Sequence, residues 1–151
     1  MLISLFLGMM MSAHAEEVFS LGPVKQELSS GNIEKALKIW KIERQKLSCP
    51  HRIPDNKSLA QLWVYKGYAY YLKSDSVSNQ EAWRKAFVID SDVQFDMALL
   101  EGKLEEDVDN VLNFFEQNRR LTTGSQTVIA QVPEKLGEAQ LFIDGENVLF
   151  G

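Results

Sequence analysis

The sequence predicts a mainly α chain: helix-turn-helix repeats, two to three helix pairs in all, followed by a short β-hairpin. Three observations lead there. Apolar residues recur at three- and four-residue intervals, the period of helices that bury one face. Small residues, Gly67 and Ala86, alternate with Trp40, Trp63, Tyr70 and Trp83, so that places for close helix contact are interleaved with bulky filler. Beyond Thr122-Thr123-Gly124 the pattern becomes β-rich, and Asp144-Gly145 is a strong hairpin turn.

In chain order, Val24–Ser30 is a short first helix opening near Pro23, and Gly31-Asn32 reads as a turn with an N-cap. Ile33, Ala36, Leu37, Trp40 and Leu47 then mark a second helix. A loop with Pro50 and Pro54 covers Ser48–Lys57. Leu59, Leu62, Trp63, Lys66, Gly67 and Tyr70 describe one face of a third helix, and Glu81–Ile89 its antiparallel return. Val108, Val111, Leu112 and Phe115 stripe a further helix whose first turn holds Glu105, Glu106 and Asp107, where anions suit the helix dipole. Its expected partner is a shorter helix over Val93–Leu100. Arg119-Arg120 fits the cation-favouring C-terminal end. In the tail, Gln126–Val132 and Ala139–Ile143 are the β-rich runs.

The order Trp63, Gly67, Tyr70, then Trp83 and Ala86, resembles the tetratricopeptide repeat. Asn79 and Ser91 stand where that family has Ala and Pro. Gly31, Ala36, Leu37 and Trp40 resemble the second helix of a degraded earlier repeat, with Glu43 in place of its late Ala. Trp40 and Trp83 lie further apart than the roughly 34 residues of an uninterrupted repeat, and the loop at 48–57 holds the excess. The stretch from Pro133-Glu134 through Gly137-Glu138-Ala139 to Glu146 resembles the opening of a PEGA-type β domain. Such domains accompany helical repeats in bacterial envelope proteins, so the resemblance implies an N-terminal piece of a longer envelope protein.

Residues 1–15 differ from the rest. Leu2–Met11 is apolar but for Ser4 and Gly8, too short for the roughly 20 residues that span a bilayer. With Ala13-His14-Ala15 after it, the run fits a secretory signal peptide without a basic start, cut after Ala15. The expected division is therefore a signal at 1–15, a helical repeat domain at 16–121 and a β-rich PEGA-like segment at 122–151. The export expectation is to the bacterial periplasm, with no membrane span after cleavage.

The formal net charge of −5 gives no basic face for nucleic acid. Cys49 is the one cysteine and cannot form an internal disulfide. Cys49-Pro50-His51 offers too few ligands for zinc, His51 being the only His after signal removal. Asp90, Asp92, Gln94, Asp96 and Glu101 have calcium-loop spacing, but Phe95 occupies the turn position that needs Gly. Asn56-Lys57-Ser58 is a chance-prone glycosylation sequon. No phosphate-binding glycine loop or nucleophile elbow is written here.

The expectation is an exported non-catalytic scaffold with no cofactor and no metal, binding envelope proteins. A repeat array binds along the groove lined by the first helix of each pair. Trp40, Trp63, Gly67, Tyr70, Trp83 and Ala86 then pack the repeat, and Gln61, Val64, Tyr68 and Tyr71 line the groove. The same tyrosines could instead cover the adjacent repeat. Two other classes stay open: a cytosolic adaptor or chaperone-like protein, and a small enzyme or metal-binding protein.

Overall fold

The computed structural model describes residues 19–47 and 54–123, and the backbone of 140–143 and 146–149. The described chain is mainly helical: α1 Gly22–Ser29, α2 Ile33–Lys46, α3 Asn56–Leu72, α4 Ser76–Ile89, a 3-10 turn at Met97–Leu100, and α5 Glu105–Thr123. The expected signal peptide, Cys49, Pro50 and His51 lie outside the described residues.

Local chemistry sets the helix ends. Pro23 stands in the first turn of α1, where its missing N–H removes nothing. Gly31, at φ 76°, makes the reversal into α2. Asn32 occupies the N-cap position of α2 but does not cap it, because its Nδ2 donates instead to Glu27 at 2.9 Å. Two Asp-x-x-Ser caps open the central helices. Asp55 accepts from the Ser58 N–H at 2.7 Å, and Asp75 from the Ser78 N–H at 3.0 Å. α5 continues to Thr123, past the boundary expected at residue 121.

α3 is the centre of the body. It packs most extensively on α4, and also on α2 and α1, while α5 closes on α4. Leu59, Ala60, Leu62, Trp63, Val64, Tyr65, Gly67, Tyr68 and Ala69 of α3 are all buried, so nearly its whole circumference is core. A helix apolar all round belongs inside a protein, not on one face of it.

The α3–α4 contact is tight and antiparallel. A Cβ built on Gly67 would stand 2.2 Å from Trp83 Cδ1, so only glycine lets the indole lie there. Trp83 is fully buried and its Nε1 donates to the Val64 carbonyl at 3.1 Å. Asn79, equally buried, donates Nδ2 to the Gly67 carbonyl at 2.8 Å, which explains a polar residue in this seam. Trp40 and Trp63 meet edge to face at 5.0 Å, and Trp40 Nε1 donates to the Leu62 carbonyl at 2.9 Å. Glu43 is buried because Ser20 N–H and Lys46 Nζ bond its carboxylate at 2.9 and 2.7 Å.

The expected helix over Val93–Leu100 is not a helix of α5's kind. Residues 93–96 have no regular structure, and only Met97–Leu100 forms a 3-10 turn. Two strands, β1 Gln140–Ile143 and β2 Glu146–Leu149, pair antiparallel in the backbone. The turn Asp144-Gly145 and residues 124–139 lie outside the described residues, and with them most of the expected PEGA-like segment.

Candidate functional site

The stripe expected to line a groove is largely covered, and of its four residues Tyr71 lines an open recess of about 320 Å³ beside Ser74, Ser76 and Phe114. Val64 is 0% and Tyr68 1% exposed. Tyr71 is half-buried, stacked on Trp83 at 6.1 Å and on Tyr68 at 6.4 Å. Gln61 is half-buried, with its Nε2 enclosed and without a hydrogen-bond partner. The packing residues sit otherwise: Trp40, Trp63, Trp83 and Ala86 are buried, Gly67 lies under the Trp83 ring, and Tyr70 is half-buried.

The reason is the segment 93–100, which covers the Tyr65 and Tyr68 side of α3. Phe95 meets the Tyr68 ring edge-on at 5.2 Å and Trp83 at 6.3 Å. Val93, Leu99 and Leu100 are buried with it. Polar ties hold the segment in place. Tyr65 Oη donates to Asp96 Oδ2 at 2.6 Å, Lys25 Nζ reaches the same oxygen at 2.8 Å, and the Ala98 N–H donates to Oδ1 at 3.2 Å. From α5, Arg119 donates to the Ser91 and Val93 carbonyls at 2.8 and 2.7 Å.

These ties are not acid–base machinery. Burial and the hydrogen bond to Asp96 push the Tyr65 hydroxyl well above its ordinary value. Burial pushes Asp96 up, but hydrogen bonds from Lys25 and Tyr65 outweigh it and hold the carboxyl below its usual range. Burial, with the neighbouring Tyr71 and Asp107, raises Tyr68 to about 12. None of the three changes protonation near neutral pH, so the cluster fastens the segment and has no proton to exchange there. The calcium-like spacing is spent in the same way: Asp96 is held by Lys25 and Tyr65, and Asp90 Oδ1 accepts from the Asp92 N–H at 3.0 Å. Among the described residues no group of three or more His, Cys, Asp or Glu could hold a metal.

Past the end of the covering segment an open cleft of about 340 Å³ remains. Leu28 comes from the last turn of α1, Gly31 from the α1–α2 turn, Ile33 from α2, Leu72 from the last turn of α3, and Leu99 from the 3-10 turn. Glu101 and Lys103 charge its rim. It can take an apolar side chain flanked by charges, and its placement depends on Gly31 turning α2 back over the end of α3. Sequence reasoning missed this cleft because its walls come from four elements. The alternation of apolar Val93 and Phe95 with polar Gln94 and Asp96 was the one available signal that residues 93–96 are not helical.

On the α2–α3–α4 side, aromatic rings carry cations. Lys66 Nζ lies 4.4 Å from the Trp40 ring centre and 4.7 Å from that of Trp63. Arg44 and Lys85 lie 5.5 and 5.0 Å from the Trp63 centre. Their stems cover the indoles while their charges reach outward. No helix among the described residues is long and apolar enough to cross a membrane. Comparison with protein-family models, curated proteins and solved structures found no match to this chain.

Proposed function

We propose that this chain is an exported, non-catalytic protein–protein interaction scaffold of a bacterial envelope assembly. In this reading its helix pairs form a tetratricopeptide-like array and its tail opens a PEGA-like β unit. Residues 1–15 direct export and are removed after Ala15. The observation that carries the reading is the cleft at the end of α3. It sets Leu28, Ile33, Leu72 and Leu99 beside Glu101 and Lys103, and one of its walls is the end of α3, which the Gly67–Trp83 seam fixes against α4. An open recess that offers apolar side chains beside charges suits the anchor side chain of a partner segment.

The test is capture of partners from an envelope fraction by immobilised protein. Leu72 is 36% exposed, so Leu72→Glu should leave the helical circular dichroism spectrum and melting temperature within experimental error of wild type. The same substitution should lower partner recovery at least tenfold. Unchanged recovery removes the cleft as the docking site. N-terminal sequencing of the mature protein should begin at Glu16, and a mature chain that still carries Leu2–Met11 overturns export.

A further inference from the structure

In the helical body α2 packs against α1 and α3, α3 against α4, and α4 against α5, and both α2 and α5 keep an exposed face. Their outer faces carry opposite charge. On α2, Lys38 and Lys41 are exposed beside Ile42, which is 48% exposed. At the start of α5, Glu105, Glu106 and Asp109 are exposed, next to Leu104 at 75%. The helix dipole accounts for acidic residues in the first turn only. Asp109 lies beyond that turn, on the same side as Glu105 and Glu106 at helical spacing. Among the described residues, none of Lys38, Lys41, Glu105, Glu106 and Asp109 has an ion-pair partner, while Lys25, Lys35 and Lys73 are paired within the fold.

We infer that these two faces fit each other between copies: the α2 face of one molecule seats on the first half of α5 of a second. The occupant is another copy of this chain because the acidic helix that complements α2 is its own α5, which α3 and α4 separate from α2 in the order of packing. Ile42 and Leu104 supply the apolar centre of the contact and the charges its rim, the arrangement usual in a specific interface. Complementary patches on two different helices make a heterologous contact, so the association adds copies head to tail. The contact uses neither the cleft nor an envelope partner, so it stands or falls separately from the docking function.

Sedimentation equilibrium of the full chain tests it. The weight-average mass should rise with protein concentration near 0.1 M salt. The rise should disappear near 1 M, where the screening length shortens from about 10 Å to about 3 Å. The double reversal Lys38→Glu/Lys41→Glu should weaken association at least tenfold, as should Glu105→Lys/Asp109→Lys, each keeping the wild-type circular dichroism spectrum. An equimolar mixture of the two reversed proteins should recover it, because each then offers the charge the other has lost. A chain that stays monomeric at every concentration near 0.1 M salt overturns the inference. So does association that survives both reversals, or two reversed proteins that fail to associate when mixed.

Discussion

α3 makes two contacts of quite different construction. Against α4 it relies on shape: a missing side chain at Gly67 admits the Trp83 indole, and one ring nitrogen and one amide donate to the buried carbonyls of Val64 and Gly67. Against residues 93–100 it relies on a buried ring, Phe95, together with polar ties between side chains far apart in sequence, Tyr65 to Asp96 and Lys25 to Asp96. The first contact tolerates almost no change of volume and is insensitive to pH. The second depends in addition on one carboxylate being ionised. Regular helices can dock by interdigitation alone, whereas an irregular segment brings unpaired backbone and must be fastened by hydrogen bonds.

Four measurements separate the two contacts. Trp83→Ala empties the centre of the seam and should lower stability by about 3–5 kcal/mol in a denaturant titration, the range for a deleted buried aromatic. A loss below about 1 kcal/mol means the seam is not the centre of the fold.

Gly67→Ala should cost about 1–3 kcal/mol by overpacking. The helix-propensity gain of up to about 1 kcal/mol cannot offset a Cβ placed 2.2 Å from the indole. Combined with Trp83→Leu it should cost less than the sum of the two, since the smaller side chain leaves the methyl room. Strict additivity in that cycle contradicts the contact.

Tyr65→Phe removes a hydrogen bond to a charged acceptor and should cost about 1.5–3 kcal/mol. The same tie predicts a pH dependence. Because the folded-state pKa of Asp96 is lowered from 3.8, its contribution is fully present above that value and is lost as pH falls through the folded one. Asp96→Asn should therefore be less stable than wild type at neutral pH, with the gap closing below pH 3.8. A constant gap across that window shows that ionisation is irrelevant to the segment.

The smallest effect belongs to the α3–α4 turn. Ser74 is a non-glycine residue at φ 59°, so Ser74→Gly should stabilise by about 0.5–1 kcal/mol, read as a small rise in melting temperature. A loss of stability there means that the serine side chain does more than occupy a turn.

The legible parts were those whose cause is local. Alternating small and large residues marked the α3–α4 seam, whereas the caps Asp55 and Asp75, although as local, were not among the expectations, and α4 starts at Ser76, ahead of the expected Glu81. The groove stripe was illegible for a definite reason. Helical geometry separates Val64 and Tyr68 from the Trp63–Gly67 line, yet says nothing of what covers the second face. Tyr68→Ala is accordingly expected to destabilise the fold and not only to remove a contact, because Phe95 packs on that ring and the Leu99 carbonyl accepts from its hydroxyl at 3.4 Å.

The sequence by itself determined that the chain is mainly helical, where most of its helices run, and that glycine must stand between two bulky residues at 67. These follow from 3.6-residue periodicity, capping chemistry and side-chain volume, all of which act within one helix or across one short turn. Only the tertiary structure decided that residues 93–100 lie across α3, that Glu43 is buried with its carboxylate bonded and Asn79 with its Nδ2 on the Gly67 carbonyl, and that the cleft opens between Ile33 and Leu72. Each of those depends on groups from separate elements meeting in space. Backbone and side-chain hydrogen bonds that cannot reach water must find one another wherever the fold brings them, and no periodicity along the chain encodes that meeting.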